Sequence, residues 1–327
     1  MGINVLAGIV ISAILLFFAL HNINFQSVLA ELKSLDPFFI IPAVALGALV
    51  QFLRSYRWGL LLKPLNNGGI GQLTLFSVTS VGFLAIMALP ARIGELARPY
   101  LISTRTGIRM PSALATVVVE RIFDILTVLT MFLVLLYFFP MPEWLARSAV
   151  VWLAITAAGI AILIPGVRRK LLRLAEKLPA RLEFLGRWID QFDRSLAACT
   201  GSGGNFILFL VITILIWAAN ALWFYLLIAA FGFNVPVQAA FVLMIVIIIG
   251  IAIPSAPGFI GNWHFACLTG LAMFGIAREQ ALSYAIVSHF LSTITLAVLG
   301  LSFLPANNVK VMTDLGKIKD ILKGQAA

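Results

Sequence analysis

Long apolar segments separated by short polar ones dominate the chain, and their lengths predict an all-α protein that crosses a membrane several times. A membrane-spanning helix needs about 20 predominantly apolar residues. Six segments approach or exceed that length: 4–20, 37–60, 112–139, 144–164, 205–231 and 281–304. The pattern therefore predicts a polytopic integral membrane protein with about six full spans.

Two further pairs of apolar segments are interrupted by proline and glycine. The first pair covers 73–89 and 94–104, and the second covers 237–253 and 258–275. Non-helical backbone at membrane depth is tolerated only inside protein or against a water-filled cavity. We therefore predict two re-entrant helical hairpins, within 73–104 and within 237–275. The residues expected to shape the breaks and to act as hinges are Pro90, Gly94, Pro254, Pro257, Gly258 and Gly261.

The positions of the basic residues predict the orientation. With the amino terminus in the cytoplasm and both hairpins re-entrant, 19 of the 23 Lys and Arg residues lie on cytoplasmic segments: 7 between Arg54 and Arg109, 8 between Arg168 and Arg194, and 4 from Lys310 onward. The positive-inside rule requires such an excess. The hairpins then enter from opposite sides, which predicts an inverted-topology repeat. The alternative is that the two proline-glycine breaks occur at matching positions of the two halves by chance.

This topology predicts three parts of the chain. Residues 1–165 form the first membrane half, residues 205–327 form the second half with a short basic tail, and residues 166–204 connect them. The connector interleaves basic residues with leucines, which predicts an amphipathic helix on the cytoplasmic leaflet, in contact with anionic lipid headgroups. A docking surface for a protein partner is the alternative.

Composition narrows the class of function. Hydrophobic residues make up 61% of the chain and the mean hydropathy is +1.05. The net charge of +10 collects in segments flanking the spans, so we expect membrane orientation and no nucleic-acid binding. Cys199 and Cys267 lie in very different segments, so neither a disulfide framework nor a metal cluster is predicted. No Lys or Arg precedes the first apolar segment, which predicts a first span and no cleaved signal peptide.

Glu120, Arg121 and Asp124 form an unusual charged group inside the apolar segment 112–139. Glu120 and Asp124 are four residues apart and share one helix face. Ionisable residues at membrane depth cost about 2.5–3.5 kcal/mol each on insertion scales, so they usually pair and line a pathway. Snorkelling to the interface is the alternative, and it explains Arg121 better than it explains all three charges.

The first hairpin places Arg92, Glu95 and Arg98 directly after Pro90. A helix that begins here would direct its free amide groups and the positive end of its dipole at the break, which suits a phosphate. Arginine adds bidentate phosphate geometry. Charges on an ordinary cytoplasmic loop are the alternative.

The second hairpin carries Asn262 and His264, and His289 follows in the next span. We consider all three candidate substrate contacts. The alternative for each histidine is a hydrogen-bonded core residue, and two histidines without an adjacent carboxylate make a poor metal site. Tyr56 and Trp58, beside Arg54 and Arg57, are interpreted as a membrane-interface anchor.

Three motifs in this order resemble the bacterial and archaeal family typified by the flippase region of lysylphosphatidylglycerol synthase. They are Pro90-x-Arg92-x-Gly94-Glu95-x-x-Arg98, Val119-Glu120-Arg121-x-x-Asp124 and Pro254-x-x-Pro257-Gly258-x-Ile260-Gly261. The resemblance covers nearly the whole chain. It implies a lipid transporter or accessory protein in the plasma (inner) membrane of a prokaryote. The distribution of basic residues predicts that both termini are cytoplasmic. The chain ends at Ala327 without room for a soluble aminoacyl-transferase domain, so lysyl transfer is not expected.

Three functions follow as hypotheses. The first is a flippase or transporter of a phosphate-bearing lipid, which could be aminoacylated, glycosylated or polyprenyl. Arg92, Arg98 and Arg121 would contact the phosphate, while Glu95, Glu120 and Asp124 would balance those arginines, bind a cationic group or accept a proton. No nucleotide-binding motif and no cofactor is predicted, and a passive scramblase is equally compatible. The other hypotheses are a membrane-embedded lipid-phosphate phosphatase or transferase, and a non-transporting assembly partner of lipid or glycan synthesis enzymes.

Overall fold

The computed structural model describes residues 2–66, 69–89, 94–139, 203–253 and 255–307, together with scattered positions between 143 and 170. The ordered elements within these ranges are helical. Numbered here in chain order, the α-helices of the continuous ranges are α1 Gly2–Leu20, α2 Phe25–Ser34, α3 Ile40–Leu62, α4 Gln72–Ala88, α5 Ala97–Thr106, α6 Met110–Phe138, α7 Gly203–Ala230, α8 Gln238–Ala252, α9 Asn262–Ala272 and α10 Arg278–Ser302.

Several of these helices have the length and apolar character of membrane spans. By length and hydropathy, three described segments qualify: Pro37–Leu65, Gly204–Ala230 and Arg278–Ser302. Residues Leu6–Leu20 and Phe25–Ser34 qualify together as a fourth, although the two helices meet at 84°. The structure thus supports an all-α, multi-pass membrane protein, while the count of six spans stays a prediction.

The helix ends agree with the breaks expected from the sequence. Helix α4 ends at Ala88 and α5 begins at Ala97, whereas α8 ends at Ala252 and α9 begins at Asn262. Pro90, Arg92 and Pro254 lie outside the described residues, as do most of the predicted span 144–164 and residues 171–202 of the connector. Re-entry of the hairpins and the division into membrane halves stay predictions.

Helix α2 is an element that the hydrophobic pattern did not predict. It covers Phe25–Ser34, between the predicted spans 4–20 and 37–60. The side chain of Asn24 accepts hydrogen bonds from the backbone N–H groups of Gln26 at 3.0 Å and Ser27 at 3.4 Å, so Asn24 acts as the N-cap. This capping residue was the available sequence signal for the helix.

The contacts divide the chain into two compact units. The first unit comprises Met1–Phe52, Gly82–Glu95 and Leu215–Leu301, and the second comprises Leu53–Val81, Leu96–Ile214 and Ser302–Ala327. The described core of the second unit packs α3, α4, α5 and α6 around buried residues that include Trp58, Val78, Ile102 and Val117. This packing places the polar face of α6 against α3 and α5.

In the first unit, small residues let helices approach closely. A Cβ at Gly250 of α8 would lie 2.9 Å from the Cβ of Ala266 in α9. A Cβ at Gly261, just before α9, would overlap the backbone of Ser12 in α1. Close helix packing through small residues is the usual arrangement in membranes, and here it fixes the start of α9 against α1.

Candidate functional site

Six charged side chains of the second unit form what we call the charged network: Arg54 and Arg57 of α3, Arg98 of α5, and Glu120, Arg121 and Asp124 of α6. Four of its members are buried, with exposed fractions of 3% for Arg57, 3% for Arg98, 2% for Glu120 and 7% for Asp124. The site therefore places ionised groups from three helices in the interior of an apolar protein.

Arg57 connects the two carboxylates. Its Nη1 and Nη2 atoms donate to Oδ1 and Oδ2 of Asp124 at 2.5 and 3.2 Å, a bidentate pair. Its Nε atom lies 3.4 Å from Oε1 of Glu120. Glu120 and Asp124 are one helical turn apart on the same face of α6, so a single guanidinium group reaches both.

Arg98 holds the other oxygen of Glu120. Its Nη1 atom lies 2.9 Å from Glu120 Oε2, and its guanidinium carbon lies 4.2 Å from the ring centroid of Trp58. The Trp58 indole N–H in turn donates to Oγ1 of Thr116 at 2.8 Å. Arg98 is therefore held by its charge pair with Glu120 and by its cation–π contact with Trp58, which is itself hydrogen-bonded to α6.

The network also has an accessible edge. The Arg121 side chain is 37% exposed, and its Nη1 atom lies 3.7 Å from Asp124 Oδ2. Arg54 is half-buried and interacts electrostatically with both Asp124 and Arg121. The separation between Arg121 and Asp124 exceeds the 2.7–2.9 Å typical of charge-assisted hydrogen bonds, whereas Arg57 bonds the same carboxylate directly.

The structure brings together most of the charged residues that the sequence singled out and adds two, Arg54 and Arg57. Arg98, Glu120, Arg121 and Asp124 come together, whereas Arg92 lies outside the described residues and Glu95 is half-buried in the first unit. Arg54 and Arg57 were both missed as site residues.

The interpretation of residues 54–58 as an interface anchor was wrong for its central residues. Trp58 is fully buried and Arg57 is 3% exposed, while Tyr56 is 40% exposed. The physical reason is that Trp58 packs on Arg98 and that Arg57 pairs with the two carboxylates of α6. Arg98 lies 40 residues from Trp58, and Asp124 lies 67 residues from Arg57.

At the second hairpin, Asn262 is bonded within the protein. Its Nδ2 atom donates to the carbonyl oxygens of Gly250 at 2.9 Å and Ile253 at 3.4 Å. Its Oδ1 atom accepts from Ser12 Oγ at 3.0 Å, and Ser12 Oγ accepts from the Ala256 N–H at 2.8 Å. Asn262 and Ser12 thus satisfy backbone groups that the end of α8 exposes, and we assign Asn262 to shaping the break.

The histidines lie beside the same break. His289 Nε2 is 2.6 Å from the carbonyl oxygen of Gly258 and must donate, because a carbonyl only accepts. The rings of His264 and His289 are 5.0 Å apart and nearly perpendicular. Gly258 has φ 74° and Phe259 has φ 59°, a strained arrangement for phenylalanine. Among the described residues, no three His, Cys, Asp or Glu side chains come together as metal ligands.

The bonds of Asn262 give a stability prediction. Asn262→Ala leaves the Gly250 carbonyl and the Ser12 hydroxyl without their partner, which we expect to lower the free energy of unfolding by about 1–3 kcal/mol. Thermal unfolding in detergent measures this. Asn220→Ala is the control, since the Asn220 amide donates to the Ile216 carbonyl of its own helix; equal losses for the two variants would contradict the assigned role.

Comparison with known proteins gives a consistent match over the membrane region. Residues 5–300 match the sequence model of a family described as "Lysylphosphatidylglycerol synthase TM region". Two proteins of Methanothermobacter thermautotrophicus, each named "UPF0104 membrane protein", are similar to the chain. One is 23% identical over 299 residues, covering 84% of this chain and 87% of the relative. The other is 23% identical over 325 residues, covering 91% of each.

A third relative is longer than the chain. The protein named "Glycosyltransferase AglD" of Haloferax volcanii is 24% identical over 350 aligned residues, covering 95% of this chain and 55% of AglD. The chain therefore spans about half the length of that relative. No solved structure matches the chain.

Proposed function

The chain belongs to the lysylphosphatidylglycerol synthase transmembrane-region family, and from that premise we propose that it moves a phosphate-bearing lipid between the two leaflets of the membrane. The family and the relative named as a glycosyltransferase favour a function connected with membrane lipids or glycans. Translocation is our own, more specific inference.

The observation that supports it is the buried charged network. Ionised groups in a membrane interior are costly, are normally paired, and mark the path of a substrate or ion. Replacing a buried ion pair by apolar residues is often neutral or stabilising. Stability alone therefore gives a weak reason for charges from three helices to meet here, whereas binding a charged headgroup gives a direct one.

The geometry suggests different tasks for the arginines. Arg57 and Arg98 are buried and pair with Glu120 and Asp124, so we assign them to holding the carboxylates in place. Arg121 is partly exposed and is suited to contact a phosphate at the edge of the network. Glu120 and Asp124 keep the cations close together.

The proposed transporter keeps the topology expected from the sequence. It has six spans and two re-entrant hairpins in an inverted repeat, lies in the plasma (inner) membrane of a prokaryote, and has both termini in the cytoplasm. Its partners are the transported lipid, anionic headgroups along the basic connector, and enzymes of lipid or glycan synthesis. Energy would come from an ion gradient, from the membrane potential or from mass action.

Reconstitution into liposomes tests the proposal. The liposomes contain labelled phosphatidylglycerol, an aminoacylated derivative of it, or a polyprenyl phosphate, and leaflet exposure is followed over time. We expect one of these lipids to change leaflet chemically unaltered, and Glu120→Gln and Arg121→Ala to slow its movement at least about tenfold, a loss of about 1.4 kcal/mol. Wild-type rates in both variants would contradict the assignment of the site.

The name of the AglD relative favours a second candidate, a membrane-embedded enzyme acting on lipid phosphates. Paired carboxylates beside arginines could serve acid–base chemistry. Mass spectrometry of the lipids recovered from the same liposomes separates the two functions, because an enzyme leaves a covalently changed lipid and a transporter does not.

A further inference from the structure

Helix α2 is tied closely to two apolar segments. Residues 21–24 connect it to the end of α1 at Leu20, and residues 35–36 connect it to the apolar segment Pro37–Leu65. The chain turns by 84° between α1 and α2. Because both links are short, α2 lies where its two neighbours reach the membrane surface. Because it is nearly perpendicular to α1, it runs along that surface when α1 crosses the membrane.

Polar contacts fix which side of α2 faces the protein. Ser283 Oγ of α10 donates to the carbonyl oxygen of Val28 at 3.2 Å, and Gln280 Nε2 of α10 donates to Glu31 Oε1 at 3.1 Å. The Val28 side chain is buried. Both helices belong to the first compact unit, so these contacts direct the opposite side of α2 away from the protein.

The outward side of α2 carries two parallel stripes of side chains. Phe25 and Leu29, one turn apart, form the apolar stripe and are 62% and 54% exposed. Gln26, Ala30 and Ser34 are exposed as well and form the polar stripe, again one residue per turn. Successive residues of a helix are about 100° apart around its axis. The two stripes therefore face in different directions.

Exposed apolar side chains flank the apolar stripe on both neighbouring elements. Phe17 and Phe18 near the end of α1 are exposed, and so are Phe38 and Ile41 at the start of the following apolar segment. On a membrane-spanning segment, such side chains face acyl chains. Exposed apolar surface of this extent marks a site of interaction with a membrane or a protein. The continuity with the two apolar segments favours the membrane.

We propose that α2 is an interfacial helix whose partner is the surface of the lipid bilayer. Phe25 and Leu29 insert between the acyl chains just below the headgroups, while the polar stripe faces water. Lys33, exposed one turn beyond Leu29, extends its ammonium group to the lipid phosphates while its methylene chain stays over apolar surface. An amphipathic helix of this kind buries its apolar face about 5–10 Å into the boundary between headgroups and acyl chains. In the predicted orientation this is the outer leaflet, and the proposal does not depend on the proposed function.

Nitroxide labels measure the depth of each stripe. Single cysteines are introduced as Phe25→Cys, Leu29→Cys, Gln26→Cys and Ala30→Cys in the full chain, with its native cysteines replaced by alanine, and the labelled protein is placed in vesicles of phosphatidylethanolamine and phosphatidylglycerol. Collision with oxygen, which concentrates among acyl chains, is compared with collision with a water-soluble nickel complex. We expect labels of the apolar stripe to lie about 5–10 Å inside the headgroup boundary and to collide mainly with oxygen. Labels of the polar stripe should collide mainly with nickel.

A photoactivatable lipid provides a second measurement on the chain without substitutions. Phosphatidylcholine with a diazirine in the upper part of one acyl chain is added to the same vesicles, and the modified residues are mapped by mass spectrometry after irradiation. We expect adducts on Phe25 and Leu29 but not on Gln26 or Ala30. Phe17 of α1, which is exposed, is the internal control. Adducts on Phe17 with none on the apolar stripe would contradict the proposal.

Three outcomes of the nitroxide experiment would overturn the interfacial position of α2. Acyl-chain depth for all four labels would mean that α2 continues the span begun by α1, and nickel access at all four would place the helix in water. Protection of the apolar stripe from both reagents would mean that a protein surface, such as a second copy of the chain, covers it. None of these outcomes decides whether the protein moves a lipid, which the liposome experiment tests separately.

Discussion

Replacing Arg57 by methionine should destabilise the protein more than any other single substitution in the charged network. Arg57 contacts both Glu120 and Asp124, so its loss leaves two buried carboxylates without their common counterion. Removing one partner of a buried ion pair typically costs about 3–5 kcal/mol. We expect low yields of folded protein and a strongly reduced Tm in detergent, measured by thermal unfolding.

Two variants control this result. Arg147→Met removes an arginine from an exposed pair in which both side chains are more than 80% exposed, and such pairs contribute little to stability. The triple variant Arg57→Met, Glu120→Gln, Asp124→Asn removes the whole set of charges and should recover part of the lost stability without recovering transport. An Arg57→Met protein as stable as Arg147→Met would contradict the role of Arg57 as the shared counterion.

Substituting Gly261 by alanine is the second change with a large expected effect. Gly261 has φ 89°, a conformation that costs other residues about 1–3 kcal/mol. In addition, its Cβ would overlap the Ser12 backbone, and overpacking costs a further 1–3 kcal/mol or so. We expect Gly261→Ala to displace the start of α9 from α1, to lower the Tm and to abolish lipid movement.

Gly275→Ala isolates the effect of the close contact. Gly275 also has a positive φ, 75°, but no atom lies within 4 Å of the position that its Cβ would occupy. This variant should therefore show only the backbone cost and keep its function. Equal destabilisation by the two substitutions would mean that the contact between Gly261 and Ser12 is unimportant.

The sequence predicted the acidic half of the charged network because charged residues in an apolar segment are conspicuous. Glu120 and Asp124 could be placed on one face of one helix from their spacing alone. Arg57 could not be assigned in the same way, since it lies 67 residues from Asp124 and adjoins Tyr56 and Trp58, a combination typical of membrane interfaces. The Asp124 carboxylate needed a basic partner, but several arginines of the sequence could have filled that role.

The second hairpin shows the same limit for neutral polar residues. Asn262 follows a proline-glycine break, so its position suggested a ligand contact. Its observed partners include Ser12, which is 250 residues away, and such a pairing leaves no periodic signal in a single sequence. Local features were more informative: the ends of α4 and α8 coincide with the breaks, and Asn24 could have predicted α2 through its capping chemistry.

Movement of a lipid by the charged network can be measured as a rate in proteoliposomes that contain equal amounts of folded protein. Each of the three labelled lipids of the liposome experiment described above is placed in one leaflet, and its appearance in the other is followed for wild type, Arg121→Gln and Arg147→Gln. We expect one of these lipids to move intact in a protein-dependent way, at a rate that falls at least about tenfold in Arg121→Gln and is unchanged in Arg147→Gln. Equal rates in all three proteins, or no movement above protein-free liposomes, would contradict this expectation.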